Sequence, residues 1–122
     1  MNTGKIAIVD DSPDTQEILK VILAGGDDIR TYMGGPQFLE SHSPGLFELV
    51  ILDISMPGMN GYEVLSKIRD RGDFVPVVAL SALAYDTDRE RALQAGFADY
   101  ITKPILDLEE FKRQVYRHVR EQ

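Results

Sequence analysis

Cysteine is missing from the chain, which excludes disulfides and thiolate metal sites. Long apolar runs are missing too, since none approaches the roughly 20 residues of a membrane span. The amino-terminal stretch turns acidic at Asp10 and Asp11, which is too early for a signal peptide. Basic residues are outnumbered, with 13 Lys and Arg against 20 Asp and Glu and a net charge of −7, which disfavours binding to a phosphate backbone. We therefore expect a cytoplasmic protein that binds neither membranes nor nucleic acid directly.

The bulk composition describes an ordinary globular protein. Apolar residues make up 43% of the 122 residues and charged residues 27%, a typical balance for a folded domain. A chain of this length suits one domain with one core. We expect that domain to cover residues 1–122.

The stretch from Phe47 to Gly61 is the most informative part of the chain. Its apolar residues 49–52 run directly into Asp53, and a loop containing Pro57 and Gly58 comes next. An unbroken apolar run of this kind predicts a strand that is buried on both faces of a parallel sheet. Asp53 then lies at the carboxyl end of the strand, where open α/β sheets place their ligands.

Similar runs elsewhere predict a regular alternation of strands and helices. Helix signals include Ser12-Pro13 at the start of the first helix and glycines after the first and fourth helices. Alternation predicts an α/β fold, a doubly wound parallel sheet covered by five helices, and the natural strand order is 2-1-3-4-5. The predicted strands are 5–9, 28–33, 49–52, 75–80 and 98–101. The first predicted helix begins at Ser12-Pro13 and stops at Gly25-Gly26. The next three cover 36–40, 62–70 and 86–95, the last of these stopped by Gly96, and the fifth begins at Leu108.

Three carboxylates should meet at one edge of this sheet. Strand 1 ends at Asp10 and Asp11, and its neighbour strand 3 ends at Asp53. Carboxylates packed together repel unless a cation lies among them, and oxygen ligands suit a hard ion such as Mg²⁺. Asp10 and Asp11 alone are equally well explained as an acidic helix start. Asp53 has no such role, so the set as a whole favours a metal site.

Ser81 and Lys103 are expected at the same edge, after strands 4 and 5. Taken alone, Ser81 is a turn residue or helix cap and Lys103 a solvated lysine. Together with the three aspartates they would provide a carboxylate nucleophile, a set of metal ligands, a hydroxyl donor and a fixed cation. Phosphoryl transfer needs those parts, because positioning and charge neutralisation provide most of its catalysis. The neighbouring Ala82 is small, which leaves room for a phosphoryl group.

Four motifs together resemble a known family over the whole chain. They are VDDSP at 9–13, LDISMPGMNG at 52–61, ALSALA at 79–84 and AGFADYITKP at 95–104. In this order and spacing they resemble the response regulator receiver domain of two-component signalling, of the chemotaxis type. The resemblance implies a flavodoxin-like fold.

The resemblance also implies roles for the acidic residues. Asp53 resembles the phosphoacceptor. Asp11, Asp53 and the backbone carbonyl of Ser55 correspond to protein ligands of Mg²⁺, for which Mn²⁺ can substitute. Asp10 corresponds to a residue that acts mainly through a water molecule on the metal.

The residues at the ends of strands 4 and 5 also have counterparts in the family. Lys103 corresponds to the cation that contacts the phosphoryl oxygens, and Ser81 to the hydroxyl that hydrogen-bonds the phosphoryl group. Tyr100 resembles the switch aromatic that turns inward as Ser81 moves; its alternative is an amphipathic edge residue with a hydrated hydroxyl. Pro104 resembles a family proline that comes after a cis peptide bond.

The expected function is a phosphorylation-dependent signalling switch rather than a conventional enzyme. A histidine kinase or a histidine phosphotransfer protein is the expected phosphodonor, and the domain would catalyse its own phosphorylation and dephosphorylation. Phosphorylation would change the surface of helix 4, strand 5 and helix 5 and so control binding of a downstream effector or of the protein's own output domain. We expect a monomer or a weak phosphorylation-dependent dimer.

Two other functions compete with this one. An aspartate-based phosphatase of the haloacid dehalogenase type needs an acid/base aspartate two residues after its nucleophile, where this chain has Ser55, and the chain is too short for the cap of that class. A flavodoxin-like cofactor binder needs a phosphate-cradling loop after strand 1, but Asp10, Asp11 and Asp14 would repel a phosphate there. His42 and His118 are predicted to be solvent-exposed.

Overall fold

The computed structural model describes residues 5–23 and 28–119. Its five strands form one parallel sheet in the order β2-β1-β3-β4-β5, which confirms the predicted fold. The predicted helix stop at Gly25-Gly26 lies outside the described residues. The strands are β1 (Lys5–Val9), β2 (Asp28–Tyr32), β3 (Leu49–Asp53), β4 (Val77–Ser81) and β5 (Asp99–Thr102); the helices are α1 (Pro13–Leu23), α2 (Gly35–Ser41), α3 (Gly61–Asp70), α4 (Asp86–Ala95) and α5 (Leu108–Tyr116).

The core has two layers, one on each face of the sheet. Successive strand residues point to opposite faces, so Ile6 and Ile8 of β1 join the layer under α1 and α5, while Ala7 and Val9 join the layer under α2, α3 and α4. Every residue of β3 and β4 is buried. Burial of a whole Leu or Ile side chain stabilises by roughly 1.5–3 kcal/mol, which makes these central strands a rigid platform for the loops at their carboxyl ends.

Local signals place most element ends within one residue of the prediction. Ser12 accepts a hydrogen bond from the Thr15 N–H at 3.3 Å and caps α1, and Gly96 ends α4 with a left-handed φ of 113°. Strand β4 begins at Val77, two residues later than predicted. Pro76 precedes it because proline has no N–H for the ladder, although its carbonyl still accepts the Val50 N–H at 3.0 Å.

The prediction that both histidines are solvent-exposed is wrong. The His42 side chain is 0% exposed, and its Nε2 lies 2.9 Å from Asp73 Oδ2. His118 Nε2 lies 2.9 Å from Asp99 Oδ2 and its side chain is mostly buried. Both partners are distant in sequence, so no local pattern could indicate these contacts. Within the described ranges, no helix combines the length and apolar character required to cross a membrane.

Candidate functional site

The three predicted carboxylates do meet at the carboxyl edge of the sheet. β1 and β3 are direct neighbours, with Val9 paired to Leu52, so Asp10 and Asp53 lie side by side at the strand ends. Asp10, Asp11 and Asp53 each offer an oxygen within 4.8 Å of the others. Asp10 is 0% exposed and Asp53 3%, whereas Asp11 faces solvent. A buried floor and an exposed rim make this site accessible from one side.

Both buried carboxylates are held by the same local turn. Asp10 Oδ1 accepts the Ser12 N–H at 2.8 Å, and Asp53 Oδ1 accepts the Ser55 N–H at 2.9 Å. This contact two residues ahead is typical of Asx turns. One oxygen of each carboxylate is therefore committed to the backbone, and the other one, Oδ2, faces Lys103.

Lys103 is the cation shared by these two carboxylates. Its Nζ lies 2.9 Å from Asp10 Oδ2 and 3.2 Å from Asp53 Oδ2. Lys103 comes directly after β5, and its peptide bond to Pro104 is cis, as the resemblance implied. Burial alone lowers the pKa of Lys103, but the carboxylates of Asp10 and Asp53 outweigh burial and raise it. The ammonium group is thus held charged within the site.

Asp53 carries an unfavourable charge in this setting. Burial raises its pKa; the Ser55 N–H lowers it, the charge of Asp10 raises it again and Lys103 lowers it, and the balance leaves the pKa above its ordinary value. Any further positive charge that entered the site would favour the ionised carboxylate. The Asp53 carboxylate is therefore able to bind a cation in addition to Lys103.

The donor set fits a hard divalent cation. Among the described residues, this cluster brings three carboxylates together, and two of them, Asp10 and Asp53, contact the ammonium group of Lys103. Asp10 Oδ2 is buried and contacts Lys103 as an ion pair, without an aligned hydrogen bond. Buried polar atoms normally have such a partner, and carboxylate oxygens are what Mg²⁺ prefers. The residues present are therefore suited to holding Mg²⁺.

Close backbone packing shapes the loop after Asp53. A Cβ at Gly61 would lie 2.8 Å from the carbonyl oxygen of Asp53 and 2.8 Å from Cα of Ile54, so only glycine fits there. The Gly61 N–H donates to the Ile54 carbonyl at 2.9 Å. Gly58 has a φ of 84°, in the left-handed region that glycine adopts readily. These glycines bring the start of α3 against the end of β3.

Ser81 and Tyr100 are joined through the backbone of one residue. Ser81 is buried at the end of β4, and its Oγ accepts the Leu83 N–H at 3.1 Å. The Tyr100 hydroxyl donates to the Leu83 carbonyl at 2.6 Å, and the residue is 5% exposed. The Tyr100 hydroxyl is therefore hydrogen-bonded to protein, whereas an edge residue with a hydrated hydroxyl would face solvent.

Sequence reasoning missed two polar side chains that contact the backbone of site residues, Gln16 at Asp10 and Arg89 at Tyr100. Gln16, in the first turn of α1, donates its side-chain amide to the backbone carbonyls of Asp10 and Tyr32. Arg89 of α4 donates to the Tyr100 carbonyl at 3.1 Å and contacts Asp99. The order of the residues carried no signal for either, because both contacts depend on which elements lie side by side.

Comparison with known proteins agrees with the resemblance seen in the four motifs. The family model described as the response regulator receiver domain matches residues 6–116. The chain is 35% identical to the response regulator PleD of Caulobacter vibrioides over 114 residues, which cover 91% of this chain and 25% of PleD. It is 37% identical to a 14.6 kDa protein of Leptolyngbya boryana, covering 85% of this chain and 82% of that protein.

Solved structures agree at the level of the fold and the family. The response regulator TrrA of Thermotoga maritima, solved in complex with Mg²⁺-BeF, superposes with a TM-score of 0.79 and 32% identity over 95% of this chain and 99% of TrrA. The BeF₃-activated receiver domain of DrrB gives a TM-score of 0.85 at 29% identity, covering 96% of this chain and 97% of that chain. The chain belongs to the response regulator receiver domain family of two-component signalling.

Proposed function

We propose that this receiver domain is a switch that accepts a phosphoryl group on Asp53 from a phosphohistidine. The donor is a histidine kinase or a histidine phosphotransfer protein. The observation that carries the proposal is the buried Asp53 carboxylate beside Lys103 Nζ at 3.2 Å, with Asp10 and Asp11 completing a set that fits a divalent cation. That grouping contains the parts that phosphoryl transfer requires.

The proposed reaction is an exchange of one bond to phosphorus for another. A carboxylate oxygen of Asp53 attacks the phosphorus of phosphohistidine, the P–N bond breaks, and the electron pair stays on the imidazole of the donor. Ser55 holds Asp53 Oδ1 through its backbone N–H at 2.9 Å, which orients the carboxylate. Lys103 neutralises the phosphoryl oxygens as they arrive. The product is an aspartyl phosphate.

A divalent cation completes the proposed site. Asp11, Asp53 and the backbone carbonyl of Ser55 would hold Mg²⁺, and Asp10 would act on it through a water molecule. When bound, Mg²⁺ supplies positive charge that offsets the charge of the phosphoryl group. The response regulator TrrA, 32% identical to this chain, was solved in complex with Mg²⁺-BeF, which supports Mg²⁺ as the cation. Substitution by Mn²⁺ stays a prediction.

The signal would leave the site through Ser81 and Tyr100. Ser81 Oγ accepts the Leu83 N–H, so its own proton is available to be donated to a phosphoryl oxygen. Movement of Ser81 would carry Leu83, whose carbonyl holds the Tyr100 hydroxyl at 2.6 Å. The result is a population shift between two states of the surface formed by α4, β5 and α5.

The donor would dock on an apolar strip that leads to the site. This apolar strip lies on α1, the β5–α5 loop and the start of α5, and one end of it borders Lys103 and Ala82. A donor that delivers a phosphoryl group to Asp53 has to approach Lys103, and the strip offers that donor an apolar surface to pack against. The members of the strip are Ile18, Val21, Ile22, Pro104, Ile105 and Leu108.

Intact-mass measurement tests the chemistry directly. Wild-type protein is incubated with Mg²⁺ and acetyl phosphate, and its mass is expected to rise by one phosphoryl group. Asp53→Ala should show no gain, and a parallel sample tests Mn²⁺. Absence of the gain in the wild type, or the same gain in Asp53→Ala, would contradict the proposal.

A pair of substitutions tests the docking strip. Val21 and Phe74 are both 76% exposed, but Phe74 lies between α3 and β4, away from the strip. Val21→Glu should slow transfer from a phosphorylated histidine phosphotransfer protein by about tenfold and leave labelling by acetyl phosphate unchanged. Phe74→Glu should change neither rate. Equal slowing with both donors would exclude docking at the strip.

The output side stays a matter of prediction. The chain covers 25% of PleD and 82% of the Leptolyngbya boryana protein. A domain of a longer protein and a separate effector therefore both stay predictions for the output partner. Cytoplasmic localisation, a domain extent of 1–122, a monomer or weak phosphorylation-dependent dimer, and self-catalysed phosphorylation and dephosphorylation also remain predictions. The receiver family itself is a signalling family rather than one of conventional enzymes.

A further inference from the structure

Gln16 makes two hydrogen bonds beside the acidic cluster and has no role in the phosphoryl transfer proposed above. Its Nε2 lies 2.9 Å from the backbone oxygen of Asp10 and 3.0 Å from that of Tyr32. Both partners are carbonyl oxygens, so the amide must present its NH₂ group to them. The side chain is half-buried and reaches back from the first turn of α1 to the ends of β1 and β2.

The carbonyl held by Gln16 belongs to the peptide bond between Asp10 and Asp11. Because the peptide unit is planar, fixing this oxygen also fixes the N–H of Asp11 and the direction in which Asp11 leaves the strand. Two neighbouring contacts leave this carbonyl to Gln16: the Asp10 N–H donates to the Tyr32 carbonyl at 3.1 Å, and Asp10 Oδ1 accepts the Ser12 N–H at 2.8 Å, which closes a turn over Asp11. Gln16 therefore holds the peptide bond that leads from β1 to Asp11, the exposed carboxylate of the cluster.

We propose that Gln16 is a positioning residue for the divalent-cation site. It sets the orientation of the Asp10–Asp11 peptide and thereby aims the Asp11 carboxylate at Asp53. The inference rests on the proposed function, because it takes Asp10, Asp11 and Asp53 as the cation site. Gln16 has no contact with the cation itself in this scheme. It resembles the outer partners that orient metal ligands in other proteins, whose loss weakens metal binding.

Gln16→Met tests this role without a change in charge. The methionine side chain is similar in length and unbranched but has no donor. Mg²⁺ affinity, measured by isothermal titration calorimetry on unphosphorylated protein, should fall about tenfold. In the metal-free protein, the carbonyl ¹³C resonance of Asp10 and the amide resonance of Asp11 should both shift.

Gln114→Met is the matched control. Gln114 Nε2 donates to Asp99 Oδ2 at 3.1 Å, so this variant also loses one glutamine donor, at a position outside the cation site. Its Mg²⁺ affinity should equal that of the wild type even if its urea midpoint falls as far as that of Gln16→Met. If Gln16→Met does not fold, Gln16→Asn keeps the amide on a side chain one methylene shorter and should also bind Mg²⁺ more weakly.

The outcomes separate this inference from the proposed function. Wild-type Mg²⁺ affinity in Gln16→Met, or a loss no greater than in Gln114→Met, overturns the role of Gln16 and leaves phosphorylation of Asp53 standing if the wild type still gains the phosphoryl mass. Failure of the wild type to bind Mg²⁺ overturns both.

Discussion

Two buried aspartates of this domain have opposite surroundings. Asp53 and Asp99 are 3% and 5% exposed. Asp53 shares an ammonium group with Asp10. Asp99 is surrounded by donors from β5, α4, α5 and the turn that follows α5. They are the Tyr100 N–H at 2.8 Å, Gln114 Nε2 at 3.1 Å, His118 Nε2 at 2.9 Å, and the guanidinium groups of Arg89 at 3.4 Å and Arg117 at 3.6 Å.

The difference shows how a similar degree of burial can serve chemistry or structure. Burial raises the pKa of both carboxyl groups. At Asp99 the Tyr100 N–H, His118 and Gln114 outweigh burial and lower the pKa, whereas at Asp53 the balance raises it. Negative charge is in excess around Asp53, so a divalent cation can still be accommodated there, and that cation would offset the charge of an incoming phosphoryl group. Asp99 is already satisfied and ties β5 to α4 and α5.

The largest expected effect comes from removing the ammonium group beside Asp53. Lys103→Met should slow labelling by acetyl phosphate about 100-fold, the usual loss when one preorganised charge is removed. The same variant should bind Mg²⁺ more tightly, because the carboxylates lose their resident cation. A mass time course and a calorimetric titration measure the two effects. Lys67→Met, at an exposed position of α3, should change neither, and unaltered labelling of Lys103→Met would contradict the role given to Lys103.

The substitution Asp99→Asn should destabilise the domain by about 2 kcal/mol, because charge-assisted hydrogen bonds are lost. Urea unfolding at neutral pH, with the linear extrapolation, measures the change. An unchanged free energy of unfolding would mean that the donors around Asp99 are only surface contacts.

Acid pH should narrow the stability gap between wild type and Asp99→Asn. The pKa of Asp99 is lowered in the folded state, so its ionisation contributes stability that is fully present above the unfolded pKa of roughly 3.9 and is lost as pH falls through the folded pKa. The gap measured by urea unfolding should therefore be constant at mildly acidic pH and shrink below about pH 4. A gap that shrinks near neutral pH would assign the effect to another group.

The same substitution at Asp53 should have the opposite sign. Asp53→Asn removes a buried charge that Asp10 repels, so the metal-free protein should gain about 1 kcal/mol, a gain often seen when a functional residue is replaced. Urea unfolding in the presence of a chelator measures it. A loss of stability would show that Lys103 more than offsets the repulsion, and would remove the contrast between the two aspartates.

Tyr100→Phe should give the smallest change. Tyr100 connects the two regions, because its N–H bonds to Asp99 and its hydroxyl bonds to the Leu83 carbonyl. Loss of the hydroxyl should cost about 0.5 kcal/mol and leave phosphoryl labelling unchanged. Amide resonances of α4 should respond less to phosphorylation than in the wild type. A full response would exclude the Tyr100 hydroxyl from the switch.

Much of the site could be predicted because its residues lie directly after strands. Parallel strands end at one edge of the sheet, so the acidic ends of β1 and β3 had to converge once the strand order was chosen. The contacts of His42, Asp99 and Gln16 could not be predicted in this way. Their partners lie on elements that are neighbours only after folding, and the acceptors of Gln16 are backbone carbonyls, which every residue has.

The sequence by itself determined the alternation of elements, the Ser12 cap at the start of α1 and the carboxylate at the end of β3. Those features result from local physics: apolar periodicity, a serine side chain that can accept a backbone N–H, and glycine where no Cβ fits. Only the tertiary structure decided that Asp53 shares an ammonium group with Asp10 while Asp99 collects several donors. Charge balance around a buried group depends on which distant side chains reach it, and that is set by how helices pack on the sheet.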